Sequence, residues 1–341
     1  MSVAMTPGRR VWRRFKGNQR AWVSLWLFGL MFVVSLFAEV LSNDRPLAAR
    51  YHDQLYFPIL FQYNETVFGG DFDTPTDYLD PFIQDQFARP GNWVVFAPNP
   101  YGSNTVNQFA SRPNPAPPSE DNVLGTDDRG RDILARLLYG FRVSVLFALA
   151  LTASGTLIGV LMGAIQGYFA GKTDLVLQRL LEVWGSLPEL YLLIILSSLF
   201  NPGLWILLLL LTAFGWMGLS DYVRAEFLRN RQMDYVAAAR SLGLPNWQIM
   251  WRHVLPNSLT PVLAFLPFRV SSAILALTSL DFLGLGVPSS TPSLGELLAQ
   301  GKDNLDAWWI ALPTFGLLTL TLLLLIFIGE GLRDAMDTRK G

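Results

Sequence analysis

Three stretches of this chain, 143–169, 203–220 and 307–329, contain no charged residue. A helix needs about 20 apolar residues to cross a bilayer core, because in hydrocarbon every backbone N–H must find its carbonyl inside the segment. Buried helices of water-soluble proteins seldom stay uncharged over such lengths. The pattern argues against the two ordinary soluble domains that 341 residues would otherwise allow. Six spans are expected near 21–41, 141–168, 177–200, 203–220, 259–280 and 308–329. Glu182, Pro188 and Glu189 interrupt the third, and a turn at Asn201, Pro202 and Gly203 separates it from the fourth. The expected class is an all-α membrane protein of about six transmembrane helices.

Charge sets the orientation. The basic N-terminus, 1–20, with the loops 170–176 and 221–258 and the end of the chain, carries sixteen Lys and Arg, counting Arg179. The loops 42–140 and 281–307 carry eight in much longer sequence, together with seventeen acidic residues. Cytoplasmic loops are enriched in Lys and Arg, so both termini are expected inside. The apolar run 21–41 is too long for a signal peptide and no small-x-small cleavage site follows it, so it reads as an uncleaved first span.

Two segments have further character. Gly155, Gly159, Gly163, Gly167 and Gly171 recur every four residues, which places them on one helical face where another helix approaches closely, within the chain or in another subunit. The connection 42–121 is too long for a plain loop, and 42–120 holds fourteen aromatic residues, whereas disordered segments are aromatic-poor. A small ordered insertion outside the membrane is expected, ending in a Pro-rich linker at 113–118.

Catalytic chemistry finds no foothold. The chain has no cysteine and two histidines, His52 and His253, which rules out a thiolate site or a histidine cluster. Gly171, Lys172 and Thr173 end like a phosphate-binding loop, but Gln166 stands where its first glycine belongs and a membrane helix stands where its strand belongs. No cofactor, metal or nucleic-acid partner is expected.

The loop 221–258 is the most informative stretch. Small residues at Ala237, Ala238 and Ala239 suit a closely packed helix from Asp234; Gly243 suits a left-handed stop and Pro245 prevents continuation. A second helix is expected over 246–254 with Asn246 as its cap, and Pro256 is expected to break the chain before the fifth span.

The spacing of Ala238, Ala239, Gly243, Leu255 and Pro256 resembles the EAA motif of ABC-importer permeases, with Ala237 where the typical Glu stands. That departure occurs in the peptide-importer branch. Two further blocks agree: Leu124, Gly125, Thr126, Asp127 through Arg142 resembles the segment before the second span of C-type dipeptide and oligopeptide permeases. Leu280, Asp281 through Gly295 and Glu296 resembles the loop before their last span. The similarity covers about 122–335. The aromatic insertion is similar to that of a sub-branch importing larger peptides and the peptide–nucleotide antibiotic microcin C.

The resemblance implies a type I ABC-importer permease core over 122–335, with a large periplasmic insertion and a short cytoplasmic tail at 336–341. It implies residence in the bacterial inner membrane and import of peptides from periplasm to cytoplasm. The implied partners are a homologous second permease, ATPase subunits that carry ATP and Mg²⁺, and a periplasmic peptide-binding protein. The EAA loop would dock on the ATPase, and this chain would hydrolyse nothing. Ionisable residues inside spans are costly and mark pathways; Arg269, Glu182 and Glu189 are the candidates, with Glu182 also readable as snorkelling to the interface. The competing class is a secondary transporter or channel without an ATPase, which would show inverted repeats or broken midplane helices.

Overall fold

The computed structural model describes residues 7–108, 112–200 and 203–337. In chain order the helices begin with α1 (Pro7–Gly17), α2 (Gln19–Leu36) and α3 (Ala38–Leu41). The insertion follows with β1 (Ala48–Tyr51), β2 (Gln54–Tyr56), α4 (Pro81–Phe87) and β3 (Trp93–Val95). Then come α5 (Ile133–Phe169), α6 (Gly171–Gly185), α7 (Glu189–Leu199), α8 (Leu204–Gly215) and α9 (Met217–Asn230). The last are α10 (Asp234–Ser241), α11 (Asn246–Ile249), α12 (Leu255–Phe282), α13 (Leu294–Asp303) and α14 (Trp308–Met336).

Among the described residues five helical stretches are long and apolar enough to cross a membrane, or six if α6 and α7 together make one span bent by 51°. The break falls at Pro188, whose ring cannot continue the preceding helix. Several spans run longer than expected. The second is the whole of Ile133–Phe169, and the fourth continues through Leu204–Asn230. Hydropathy marks only the part that needs lipid, while the helix continues wherever its polar ends find partners. The expected turn at 201–203 lies partly outside the described residues.

The chain divides into two compact units. The first comprises Met1–Gly29, Ser144–Pro288 and Leu318–Gly341. Here the glycine face of α5 meets α9 of the same chain. A Cβ on Gly163 would lie 2.5 Å from the Ser220 carbonyl oxygen, and one on Gly167 would lie 2.5 Å from Phe227 Cβ and 2.6 Å from the Arg224 carbonyl oxygen. A Cβ on Gly159 would lie 2.9 Å from the Trp216 carbonyl oxygen. Missing side chains let the helices approach to backbone contact, which is how apolar helices gain dispersion energy where no hydrophobic effect operates. Gly171 does not belong to this face: it starts α6 at φ +55° with nothing near it. At that end of the interface Arg224 donates two hydrogen bonds to Asp174, at 2.5 and 2.6 Å.

The second unit comprises Leu30–Val143 and Ser289–Leu317. The insertion is ordered, and it holds the strands found among the described residues: an antiparallel sheet of order β2–β1–β3. Ala49 pairs with Tyr56 on one side and Val94 on the other. The fully buried Phe68 explains the aromatic count. It stands among Tyr51, Tyr56, Tyr63, Tyr78 and Phe87, with ring centroids 5.2–6.1 Å away. A segment this short gains enough buried apolar area to pack only by using large rings. Burial pushes the Tyr78 hydroxyl up to about 12.

The same unit brings together two blocks that lie 165 residues apart in sequence. Ser293 caps α13, accepting from the amides of Gly295 and Glu296, and so aims Glu296. Glu296 pairs with Arg131 at 3.1 Å and with Arg136. Arg131 donates in turn to Asp127 at 2.7 Å, and Arg136 donates to the Ser103 carbonyl at 3.0 Å. Asp127 and Arg136 are completely buried. The guanidiniums and carboxylates thus neutralise one another away from water, the condition under which buried charge is tolerated, although Arg136 Nε has no hydrogen-bond partner among the described residues.

Candidate functional site

The 234–257 loop folds as a helix, a tight turn and a second helix. α10 carries Asp234 in its first turn and Arg240 in its last, each sign matching the helix dipole. Val236 and Ala239 face inward, into a cluster with Val160, Ala164, Tyr168, Val223 and Phe227. Gly243 then takes φ +74°. The Leu244 amide bonds back to the Ala239 carbonyl at 3.3 Å and the Gly243 amide to Arg240 at 2.9 Å. These two bonds define a Schellman stop, and Leu244 packs on the same cluster as Ala239. The expected left-handed glycine is therefore present for the expected reason.

Two local expectations are corrected. Asn246 does not cap α11; Pro245 occupies the cap position, and the Asn246 side chain accepts a 3.0 Å hydrogen bond from the Tyr168 hydroxyl. A tertiary partner outcompetes the local one. Pro256 does not break the chain either. The helix runs on from Asn246 to Phe282 through a π-helical turn at Met250–Val254. The wider turn relieves the clash between a proline ring and the carbonyl four residues before it.

The structure sorts the five motif residues into two groups. Ala238, Gly243 and Pro256 are exposed, whereas Ala239 is buried and Leu255 half-buried against the loop's own core. Beside Gly243 stand two side chains that sequence reasoning passed over. Leu242 is 80% exposed and Trp247 is 67% exposed. Met233 and Tyr235 add further exposed apolar surface. An apolar residue directly before a capping glycine, and a tryptophan in the first turn of the helix that follows, were the available signals.

Tyr168, at the end of α5, was also missed. Besides its bond to Asn246, its ring sits 5.7 Å from the Arg240 guanidinium and its carbonyl accepts from Arg231 at 2.9 Å. One residue of a membrane-length helix therefore contacts both arms of the loop. Replacing Tyr168 by Phe is expected to cost up to about 1 kcal/mol, the typical net value of one hydrogen bond, read as a lower thermal midpoint.

The charged span residues are not brought together. Arg269 of α12 donates to the Gly215 carbonyl at 3.0 Å, and its buried Nε has no acceptor among the described residues. Glu182 is exposed and pairs with Arg179 one turn away. Glu189 opens α7 half-buried, with no hydrogen-bond partner among the described residues.

Comparison with known proteins identifies this arrangement. Residues 155–341 match the family described as binding-protein-dependent transport system inner membrane component. Residues 6–64 match the N-terminal TM domain of oligopeptide transport permease C. The chain is 50% identical to the inner membrane ABC transporter permease protein YejE of Escherichia coli K12, covering 96% of each chain. It is 46% identical to the peptidoglycan transport system permease protein YejE of Agrobacterium fabrum, covering 97% of this chain and 93% of the relative. It is 32% identical to the oligopeptide transport system permease protein OppC of Bacillus subtilis, over 72% of this chain and 81% of the relative. Among solved structures, the MetNI methionine ABC transporter in an inward-facing conformation shares the fold, with TM-score 0.51 and 17% identity over 60% of this chain and 98% of that one. The chain thus belongs to the inner-membrane component family of binding-protein-dependent transport systems, and is a multi-pass permease subunit of an ABC importer.

Proposed function

We propose that this subunit forms one half of a peptide pathway, with the 234–257 loop as the lever through which an ATPase drives it. The observation that carries the proposal is the exposed apolar tip at Leu242 and Trp247, mounted on a Schellman turn and anchored by buried Val236 and Ala239. Exposed apolar groups on a rigid support are what a partner protein buries. Ala238, Gly243 and Pro256 line this outer side, while Ala239 and Leu255 hold it to the membrane helices. ATP and Mg²⁺ reside on the ATPase subunits, and this chain binds no cofactor and hydrolyses nothing. The loop and both termini are cytoplasmic in this reading, which the distribution of Lys and Arg supports. The 42–121 insertion is periplasmic, beside a peptide-binding protein, and a homologous second permease supplies the other half of the pore.

Relatives named for oligopeptide, dipeptide and peptidoglycan transport support a peptide substrate. The reading extends to larger peptides and to peptide–nucleotide antibiotics such as microcin C. Coupling requires that the ATPase bind the loop with different affinity in the two states of the pore.

Leu242→Asp together with Trp247→Ala is expected to abolish co-purification of the ATPase while leaving insertion and the thermal midpoint unchanged. ATPase retained at wild-type stoichiometry with normal uptake would overturn the assignment. Gly243→Val acts differently. Nothing lies within 4 Å of its Cβ position, so the cost is backbone strain at φ +74°, about 1–2 kcal/mol, expected to displace the tip and lower uptake.

In the membrane, Arg269 is the favoured pathway residue, because its Nε lacks a protein acceptor. Arg269→Ala should reduce uptake of several peptides; unchanged uptake would remove it from the pathway. Glu189 is second, and the exposed Glu182–Arg179 pair fits an interfacial position better than a pore.

A further inference from the structure

The chain has no carboxylate before Glu39, but six cations: Arg9, Arg10, Arg13, Arg14, Lys16 and Arg20. A topology signal needs only their number. Here they are also arranged. α1 is docked by its apolar side: Phe15 is 3% exposed and packs with Ala21, Ile328 and Ala335, and Arg14 donates to the Asp337 carbonyl at 3.1 Å. That contact fixes which way the opposite side points. Arg9, Arg10 and Arg13 lie there, exposed, and with Arg20 they have no acidic partner among the described residues.

The flank between these faces is aromatic. Trp12 meets Trp22 edge-on at 5.7 Å, and Trp22 meets Trp26 likewise at 5.7 Å. Lys16 lies 5.4 Å from the Trp12 ring and 5.1 Å from the Trp22 ring. Trp22 and Trp26 belong to α2, a membrane-length helix. Indole and Lys side chains settle where hydrocarbon gives way to headgroups, because each joins an apolar body to a polar end. This row of rings therefore places α1 at headgroup depth. The abundant anion at that depth is the lipid phosphate, which accepts two parallel hydrogen bonds from a guanidinium.

We propose that α1 is an interfacial helix whose Arg9, Arg10, Arg13 and Arg20 hold anionic phospholipid headgroups at the foot of the first span. Because Phe15 and Arg14 already order the helix, the cations are pre-organised and little ordering entropy opposes the binding.

The test uses the assembled transporter in nanodiscs of phosphatidylcholine mixed with phosphatidylglycerol, with lipids retained after extraction read by native mass spectrometry. The wild type should retain phosphatidylglycerol in preference to phosphatidylcholine. The preference should weaken at high salt, and millimolar inorganic phosphate should leave it intact. Arg9→Gln, Arg10→Gln and Arg13→Gln combined should lower apparent phosphatidylglycerol affinity on the order of 100-fold, while the corresponding triple Lys variant keeps most of it. Equal retention of both lipids by the wild type would overturn the proposal, and that measurement needs no variant to insert. Undiminished preference in the Gln variant, or displacement by inorganic phosphate, would overturn it too.

Discussion

Glu296→Gln is expected to leave this protein poorly folded. The substitution removes the carboxylate shared by Arg131 and Arg136, of which Arg136 is completely buried. Asp127 would then face two guanidiniums alone, and its distance to Arg136 Nε is 3.8 Å against 2.6 Å to Arg131. Breaking a buried charge network by deleting one partner typically costs about 3–5 kcal/mol, because an uncompensated ion stays out of water. The measurement is the yield of monodisperse protein and its thermal midpoint. Arg136→Met combined with Glu296→Gln restores the count of charges to the Asp127–Arg131 pair and should recover most of the loss. If the double variant proves no better than Glu296→Gln alone, the loss is not electrostatic.

Gly163→Leu should come next. The position faces a backbone carbonyl at 2.5 Å and Val223 Cβ at 2.8 Å, so no rotamer change can make room. The helices must separate, with loss of the contacts along Gly159 and Gly167 as well. Overpacking of this kind costs about 1–3 kcal/mol for a few added methylenes, and more where backbone must move. Gly163→Ala should show a smaller fall in thermal midpoint than Gly163→Leu. Gly29→Ala in α2 is the control. Nothing lies within 4 Å of its Cβ position, and alanine is the better helix former, so the midpoint should hold or rise slightly. Equal loss at positions 29 and 163 would show that the glycine face is not a packing device.

How far each feature could be read ahead follows from the range of the interactions behind it. The left-handed stop at Gly243 needs only the residues around it, and it was legible. The Asn246 cap was not, because Tyr168, 78 residues away, offers the side chain a better partner. The break expected at Pro256 assumed an α-helical turn before it, and a π turn changes that assumption. The glycine period showed that something approaches α5 closely. It did not show that the neighbour is α9 of the same chain. Leu242 and Trp247 were individually unremarkable as an apolar residue and an indole, and only their exposure beside the turn marks them as a surface.

The sequence by itself determined the membrane class, the approximate spans, the position of the helix–turn–helix and its likeness to a permease family. These rest on local hydropathy, turn chemistry and short spacings, all of which are written along the chain. Only the tertiary structure decided that Asp127, Arg131, Arg136 and Glu296 form one charge network, that Tyr168 contacts both arms of the loop, and that Phe68 gathers five rings. Such contacts join residues far apart in sequence, and their energies come from burial and from the geometry of the partners, neither of which a linear pattern specifies.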